Sequence, residues 1–233
     1  MQRPHQPMLV RIQKLLSKEQ TQQMRQQLEA TDWISGSLTA GHLAKLAKHN
    51  LQLPEDSPVA HQLGDVVLDA LSRSEEFLAA ALPNKIFPPM FNCYQQGGEY
   101  GFHVDNSIRR ITGTAIKIRT DVSMTVFLNE PEEYEGGELV VADTYGEQRV
   151  KFAAGDAVLY PSTSMHKVTP VTAGRRLASF FWIQSLVRSD AQRRTIYDLD
   201  KSIQALTAEN PNHPQLVPLA GVYHRLLQQW SET

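Results

Sequence analysis

The sequence predicts a mainly β protein with helical flanks. Between about residues 86 and 186, short segments rich in β-branched and aromatic residues show a period of two. Turn signals rather than helices separate these segments, which is typical of an antiparallel sandwich or an open barrel. On both sides of this region the apolar spacing becomes helical. We therefore predict an N-terminal helical flank over 1–85, a β core over 86–186 and a C-terminal helical extension over 187–233.

The N-terminal flank contains two regions with helical signals. Ser17 followed by Gln20 resembles a capping box, and residues 18–29 contain good helix formers without glycine or proline. Residues 61–81 place apolar side chains at helical spacing and are predicted to form one or two amphipathic helices. The stretch 50–58 is predicted to be a loop.

The core contains six predicted strands, and glycine marks two of the turns between them. Glycine tolerates the positive φ that tight turns require, so Gly136-Gly137 and Gly155-Asp156 are the strongest turn signals. The predicted strands are 86–94, 121–129, 138–142, 147–152, 156–160 and 176–184.

The helical period returns at about residue 190. Residues 190–206 and 214–230 are predicted to form a terminal helical hairpin. These helices offer a surface for an isologous contact, which would give a homodimer.

Composition narrows the class of protein. A formal net charge of −2 gives no general attraction to nucleic acid or anionic membranes, so neither is expected as a partner. No stretch approaches the roughly 18 apolar residues of a membrane helix, and the N-terminus lacks the pattern of a secretory signal. The single cysteine, Cys93, excludes an intrachain disulfide and suits a reducing compartment. A cytoplasmic protein is expected.

A metal-binding pattern lies in the strand-rich region. His103 and Asp105 are two residues apart, and in an extended segment such side chains point to the same side. Alone, this pair is equally typical of a solvated polar turn. His166 follows the predicted strand 156–160 and supplies a second imidazole. Two histidines and one carboxylate form the facial triad of non-haem Fe(II) oxygenases, which leaves coordination positions open.

An arginine completes the pattern. Arg176 lies ten residues after His166, at the start of the predicted strand 176–184. A 2-oxo acid that chelates iron needs a fork of donors for its far carboxylate, and a guanidinium supplies one. Arg175 is the alternative, because strand alternation turns only one of the two arginines toward the interior. The spacing from His166 favours Arg176.

Several short motifs occur in a fixed order along the chain. They are Tyr94, Tyr100-x-x-His103-x-Asp105-Asn106, Leu128-Asn129, Gly136-Gly137-Glu138-Leu139, Gly155-Asp156, His166, Arg176 and the tail QRRTIYDL over 192–199. Over 86–186 this order resembles the prolyl/lysyl-hydroxylase-like 2-oxoglutarate dioxygenases. With its flanks and tail, the chain is similar to bacterial PKHD-type hydroxylases, some of which are linked to iron uptake. The resemblance implies a double-stranded β-helix (jelly-roll, cupin-like) core with N-terminal helices and a C-terminal helical hairpin.

The resemblance also implies an activity and its residues. His103, Asp105 and His166 correspond to the ligands of Fe(II), and Arg176 to the residue that binds 2-oxoglutarate. Tyr94 corresponds to a tyrosine that hydrogen-bonds the co-substrate, although a tyrosine packed at a strand end explains it equally well. The expected reaction uses O₂ to hydroxylate an unactivated C–H bond and converts 2-oxoglutarate to succinate and CO₂, with L-ascorbate restoring oxidised iron. Halogenases of this superfamily lack the carboxylate, so Asp105 implies hydroxylation.

The residues alone leave two other classes of protein possible. A zinc hydrolase with a His₂-carboxylate site needs a general base near the ion and has no use for Arg176. A non-catalytic cupin-like module that senses iron or a small ligand need not bind a keto acid. The residues also leave the identity of the substrate open. It is a prolyl or lysyl side chain of a peptide, a free amino acid or a siderophore-like molecule.

Other residues near the metal-binding pattern are interpreted as a charged loop and as parts of the core. A basic loop follows the metal motif, where it would either bind an anionic substrate or be an ordinary charged loop. Its residues are Arg109, Arg110, Lys117 and Arg119. Phe180, Trp182 and Cys93 are predicted to belong to the core.

Overall fold

The computed structural model describes residues 8–39, 47–143 and 146–232. None of the helices in these residues is long and apolar enough to cross a membrane. The helices are α1 (Lys18–Glu29), α2 (Pro58–Ser72), α3 (Glu75–Ala81), α4 (Asp190–Glu209) and α5 (Leu216–Trp230). The strands are β1 (Val10–Ile12), β2 (Ile34–Ser35), β3 (Lys48–His49), β4 (Leu51–Gln52), β5 (Pro83–Ile86), β6 (Met90–Gln95), β7 (Glu99–His103), β8 (Ile108–Arg110), β9 (Lys117–Arg119), β10 (Val122–Phe127), β11 (Tyr134–Gly136), β12 (Leu139–Asp143), β13 (Gly146–Val150), β14 (Ala157–Pro161), β15 (Met165–Val168) and β16 (Val171–Ser185).

The strands form two antiparallel sheets and a separate hairpin. The larger sheet has the order β1-β14-β10-β16-β6-β4-β2, and β5 and β11 also pair with β16. The smaller sheet has the order β13-β12-β15-β7-β3, and β8 pairs with β9. Apolar side chains from both sheets, among them Phe127, Val141 and Val158, form one buried cluster. The two sheets therefore pack as a sandwich, as the sequence predicts.

The N-terminal helices cover the other face of the larger sheet. Leu28 of α1, Val67 of α2 and Phe77 of α3 belong to the same core cluster as Phe91 and Phe181 of the sheet. Because both faces of this sheet are covered, β10 is buried at all six of its residues instead of alternating.

Helix α1 has the bounds that the sequence predicts. Ser17 Oγ accepts a hydrogen bond of 3.2 Å from the Gln20 amide, and Gln20 Oε1 accepts one of 2.8 Å from the Ser17 amide. These two bonds form the predicted capping box. Thr21, Met24 and Leu28 are its buried residues, at the spacing of one helix face.

The second helical region divides into α2 and α3, within the prediction of one or two helices. Helix α2 begins at Pro58, earlier than predicted, because Ser57 caps it and proline suits the first helical position. The predicted loop over 50–58 is wrong at Leu51 and Gln52, which form β4 and pair with β6. Two residues are too few to produce a periodic signal.

All six predicted core strands exist, with changed boundaries. The segment predicted as one strand over 86–94 contains the end of β5 and most of β6, separated by Pro88-Pro89, which lack backbone donors. The last strand begins at Val171 instead of residue 176. The sequence missed β7 and β15, whose short polar segments EYGFH and MHKV lack clear alternation.

The predicted turn at Gly155 is confirmed, whereas Gly136 is the last residue of β11, at an irregularity in its pairing with β16. The positive φ expected of both glycines is confirmed. Gly155 has a φ of +89°, and a Cβ there would lie 2.3 Å from the Leu16 carbonyl oxygen. Gly136 has a φ of +71°, and its Cβ would lie 2.0 Å from the Pro170 carbonyl oxygen. Both positions therefore require glycine.

The C-terminal helices form the predicted hairpin, with α4 extended to Glu209. The hairpin packs on the rest of the protein through a cluster that includes Leu82, Val187 and Ile196. Glu76 accepts hydrogen bonds from Tyr197 Oη and, at 2.8 Å, from Lys201 Nζ. The division into units at residues 86 and 187 and the homodimer stay predictions.

Candidate active site

Two strands of the smaller sheet bring His103 and His166 together. Strands β7 and β15 are antiparallel, and His103 lies directly opposite His166 in their register. The centroids of the two imidazole rings are 4.2 Å apart. Residues distant in sequence thus become neighbours by cross-strand pairing.

The carboxylate of Asp105 lies beside both imidazoles. Its Oδ1 is 4.0 Å from His103 Nε2, and its Oδ2 is 3.7 Å from His166 Nε2. Ser123 Oγ donates a hydrogen bond of 2.5 Å to Oδ2 and is 2.7 Å from Ser162 Oγ. The three potential ligand atoms lie within 4.8 Å of one another. The imidazole–carboxylate separations of 4.0 and 3.7 Å are within the roughly 4 Å that two metal–ligand bonds of about 2 Å can span.

Each imidazole is oriented by the backbone carbonyl two residues before it. His103 Nδ1 is 2.8 Å from the Gly101 oxygen, and His166 Nδ1 is 2.9 Å from the Ser164 oxygen. Because a carbonyl only accepts, each Nδ1 carries the proton, and each Nε2 keeps a lone pair for an ion. Burial, and next the nearby His166, lower the pKa of His103 to about 4. This holds His103 in the neutral form that binds metals.

Arg176 is buried in the same pocket, with 1% of its surface exposed. Its guanidinium lies 5.4 Å from the ring centroid of Tyr94 and 5.3 Å from that of Phe127. In the part of the chain that the structure describes, Nε has no hydrogen-bond partner and no carboxylate lies within ion-pair distance of the guanidinium. A buried guanidinium in this state is suited to bind an anion.

Arg175 differs from its neighbour in the direction of its side chain. It does not line the pocket in the described residues, and its Nη2 lies 3.8 Å from the Sγ of Cys93. Cys93 is fully buried in the core, as predicted. Strand alternation therefore turns Arg176, rather than Arg175, toward the pocket.

Tyr94 also lines the pocket and lies opposite Arg176 in the pairing of β6 with β16. Burial raises the pKa of Tyr94 to about 12. The phenol therefore stays protonated at neutral pH and can donate a hydrogen bond.

Other side chains of the pocket were not predicted as site residues. Phe180 and Trp182 line it, although Trp182 is also part of a core cluster, as predicted. Lys48 lines it because β3 pairs with β7, which places Lys48 opposite Tyr100. No local pattern signals this pairing. The ring of Tyr100 stacks on that of His103 at 3.6 Å between centroids.

Of the four basic residues after the metal motif, only Arg109 lines the pocket in the described residues. Arg110 Nε donates to the Thr114 carbonyl, and Lys117 is exposed. Arg119 is paired with Asp121 and Glu232. The basic loop thus divides into one pocket residue and three surface residues.

Two family models match consecutive parts of the chain. The model of the 2OG-Fe(II) oxygenase superfamily matches residues 89–184, which include the pocket's two histidines, its carboxylate and Arg176. The model of the PKHD-type hydroxylase C-terminal domain matches residues 190–232, which contain the helical hairpin.

Solved oxygenase structures share the fold. A prolyl-4-hydroxylase from Pseudomonas putida has a TM-score of 0.51 and 19% identity, covering 76% of this chain and 92% of that one. HygX from Streptomyces hygroscopicus, solved with nickel and 2-oxoglutarate bound, has a TM-score of 0.51 and 16% identity, covering 77% and 83%. The likeness confirms the predicted jelly-roll core.

Similarity to known proteins extends over nearly the whole chain. A PKHD-type hydroxylase of Saccharophagus degradans is 59% identical over 226 residues, which are 97% of this chain and 100% of that protein. One from Stutzerimonas stutzeri is 56% identical over 225 residues, again 97% and 100%. The chain belongs to the family of PKHD-type hydroxylases and is a 2-oxoglutarate-dependent dioxygenase.

Proposed function

We propose that His103, Asp105 and His166 bind Fe(II) as a facial triad. The location of one potential ligand atom from each residue within 4.8 Å of the others is the observation that carries this proposal. The donor set is the one that non-haem Fe(II) oxygenases use. Ser123, which donates to Asp105, would hold the carboxylate while its other oxygen faces the ion.

We propose that Arg176 binds the far carboxylate of 2-oxoglutarate, with Tyr94 donating a further hydrogen bond to the co-substrate. The buried guanidinium, without an ion-pair partner in the described residues, supports this assignment. A planar fork of donors matches a carboxylate in both geometry and charge. The neutral phenol of Tyr94 lies on the paired strand.

The proposed overall reaction consumes the substrate R–H, 2-oxoglutarate and O₂ and yields R–OH, succinate and CO₂. One oxygen atom enters the new hydroxyl group and the other enters the new carboxylate of succinate. Bound Fe(II) supplies the redox chemistry that activates O₂. The protein would orient both organic substrates, hold His103 neutral and limit the access of water through its buried pocket.

The lining of the pocket supports this chemistry over hydrolysis. Asp105 is the only carboxylate among the described residues that line it, and it already accepts a hydrogen bond from Ser123. A metal-dependent hydrolase needs a further general base near the ion. Membership in an oxygenase family also excludes a non-catalytic sensor. The Asp105 carboxylate favours hydroxylation over halogenation.

Three finer proposals follow from the same assignment. Uncoupled turnover would oxidise the iron, so L-ascorbate should sustain activity. The single buried cysteine suits a cytoplasmic location. The substrate would be a peptide side chain, a free amino acid or a siderophore-like molecule.

The decisive assay is Fe(II)-dependent formation of succinate from 2-oxoglutarate. We expect slow turnover by the unchanged protein without added substrate and none above background for His166→Ala. His224→Ala is the matched control, because His224 is exposed on α5, and it should keep full turnover. Normal succinate formation by His166→Ala, with its fold verified by circular dichroism, would contradict the assignment.

A further inference from the structure

A second cationic region of the pocket includes Lys48. Its side chain is buried, with 7% of the residue exposed. Nζ donates a hydrogen bond of 3.0 Å to Gln52 Oε1 and lies 5.4 Å and 5.6 Å from the ring centroids of Tyr100 and Phe180. Because the Tyr100 ring stacks on His103, the ammonium lies on the metal side of the pocket.

Arg109, on β8 of the separate hairpin, lines the same pocket. Its guanidinium lies 4.7 Å from a ring centroid of Trp182 and 5.1 Å from that of Phe87. Nη2 donates to Glu55 Oε1 at 3.0 Å, and Thr112 Oγ1 donates to the other oxygen of Glu55 at 2.6 Å. A guanidinium has five N–H donors, so this single bond to Glu55 fixes Arg109 and leaves donors for a ligand.

This cationic region is separate from the one assigned to the co-substrate. Residues 176, 180 and 182 alternate on one face of β16 and all line the pocket. At about 3.3 Å per residue, Phe180 lies about 13 Å and Trp182 about 20 Å along the strand from Arg176. Lys48 contacts Phe180 and Arg109 contacts Trp182. The pocket therefore has cations toward both ends.

We propose that Lys48 and Arg109 bind an anionic group, a carboxylate or a similar oxyanion, on the molecule that is hydroxylated. This inference rests on the proposed function, because it assigns the primary substrate to the same pocket. The uncharged part of the substrate would pack against the rings of Tyr100, Phe180 and Trp182. The substrate class thereby narrows to acids, which excludes neutral peptides.

The electrostatics of the pocket support an anion at this position. Burial, and next the charge of Arg109, lower the pKa of Lys48 to about 8. Two like charges that face one partly desolvated space repel each other, and an anion between them would relieve the repulsion. A charged acceptor also forms the stronger hydrogen bonds with these donors.

The test uses the full chain loaded with Mn(II), which blocks turnover, and saturated with 2-oxoglutarate. Paramagnetic Mn(II) broadens the NMR resonances of ligands bound near it, so phenylacetate and its neutral isostere phenylacetamide can be compared directly. We expect phenylacetate to bind at least about 10-fold more tightly than the amide. A blocked tripeptide with one aspartate, compared with its asparagine counterpart, distinguishes a peptide acid from a small free acid.

Substitutions then test which residues cause the preference for the acid. Lys48→Met and Arg109→Met should each weaken phenylacetate binding about 10-fold and leave 2-oxoglutarate binding unchanged. Lys48→Arg should keep most of the affinity, which separates the role of charge from that of packing. Lys117→Met is the matched control, because Lys117 is exposed on β9, and it should change nothing.

Three results would overturn the inference. In the first, no acid binds in preference to its neutral isostere. In the second, the preference survives both Lys48→Met and Arg109→Met. In the third, Lys48→Met weakens 2-oxoglutarate instead, which would make Lys48 part of the co-substrate site. If 2-oxoglutarate itself is not broadened by Mn(II) in the unchanged protein, the proposed function fails as well, so the two failures are distinguishable.

Discussion

Two buried arginines in this protein have opposite environments. Arg176 and Arg193 are each only 1% exposed. Arg193, on α4, donates to the Val187 carbonyl at 2.8 Å, to the Arg188 carbonyl at 3.3 Å and to Asp190 Oδ1 at 2.9 Å. Arg176 lies between two aromatic rings, and its Nε has no partner among the described residues.

The difference separates a cation with a structural role from one that we propose binds a ligand. A buried charge is tolerated when its donors are satisfied, and Arg193 meets this condition while fixing the start of α4 to the end of β16. Arg176 has an Nε without a partner among the described residues, and the anion that we propose would complete its hydrogen bonds. Burial alone therefore does not distinguish the two roles, whereas the partners of the guanidinium do.

The largest loss of stability should come from replacing Arg193 with methionine, whereas the same change at Arg176 should cause none. Arg193→Met leaves the buried Val187 carbonyl without this donor and removes the bonds to Arg188 and Asp190, so it should reduce the free energy of unfolding by about 3 kcal/mol. Arg176→Met removes an unpaired buried charge and should leave the stability of the ligand-free protein unchanged or higher. Urea unfolding of both variants measures these free energies. An equal loss in both would contradict the different roles of the two arginines.

The carboxylate of the proposed metal site has a hydrogen-bond partner within the protein, as Arg193 does. Ser123 donates to Asp105, so Ser123→Ala should weaken metal binding roughly 10- to 100-fold. Titration with Mn(II) under chelator competition gives the affinity. Ser202→Ala on α4 is the control, since the Ser202 hydroxyl donates to the Asp198 carbonyl of its own helix. An unchanged affinity in Ser123→Ala would show that Asp105 needs no support.

A smaller effect concerns pH in the metal-free protein. The pKa of His103 is about 4 in the folded state, against about 6.5 in an unfolded chain. As the pH falls below about 6.5, the unfolded state takes up a proton that the folded state does not, so stability falls. Between pH 7 and 5.5 the loss should be about 1 kcal/mol. The free energy of unfolding of the unchanged protein and of His103→Gln, measured at both pH values, tests this. An equal loss of stability in the two proteins would argue against the lowered pKa of His103.

The sequence predicts those features that depend on neighbouring residues. Ser17 and Gln20 predict the start of α1, and the turn at Gly155 requires glycine because its φ is positive. Strand alternation together with spacing predicts that Arg176, not Arg175, faces the interior, and the structure has this arrangement. Each of these features is determined by residues that lie close together in the sequence.

Features that depend on distant pairing were not predictable in this way. Lys48 enters the pocket because a two-residue strand pairs with β7, and Ser123 reaches Asp105 from the other sheet. The strands β7 and β15 are short and polar where they carry the two histidines, so they lack the alternation that identifies a strand. The proposed metal ligands were predicted from their spacing, whereas the residues around them became apparent only from the fold.

The affinity for 2-oxoglutarate tests the central claim most directly. Arg176→Lys keeps the charge and removes the planar fork, so binding of 2-oxoglutarate to the Mn(II)-loaded protein should weaken roughly 10- to 100-fold. Metal affinity without 2-oxoglutarate should not change. Arg175→Lys is the matched control, one residue away on the other face of β16, and should bind normally. Equal affinities in both variants, or a loss confined to Arg175→Lys, would contradict the account.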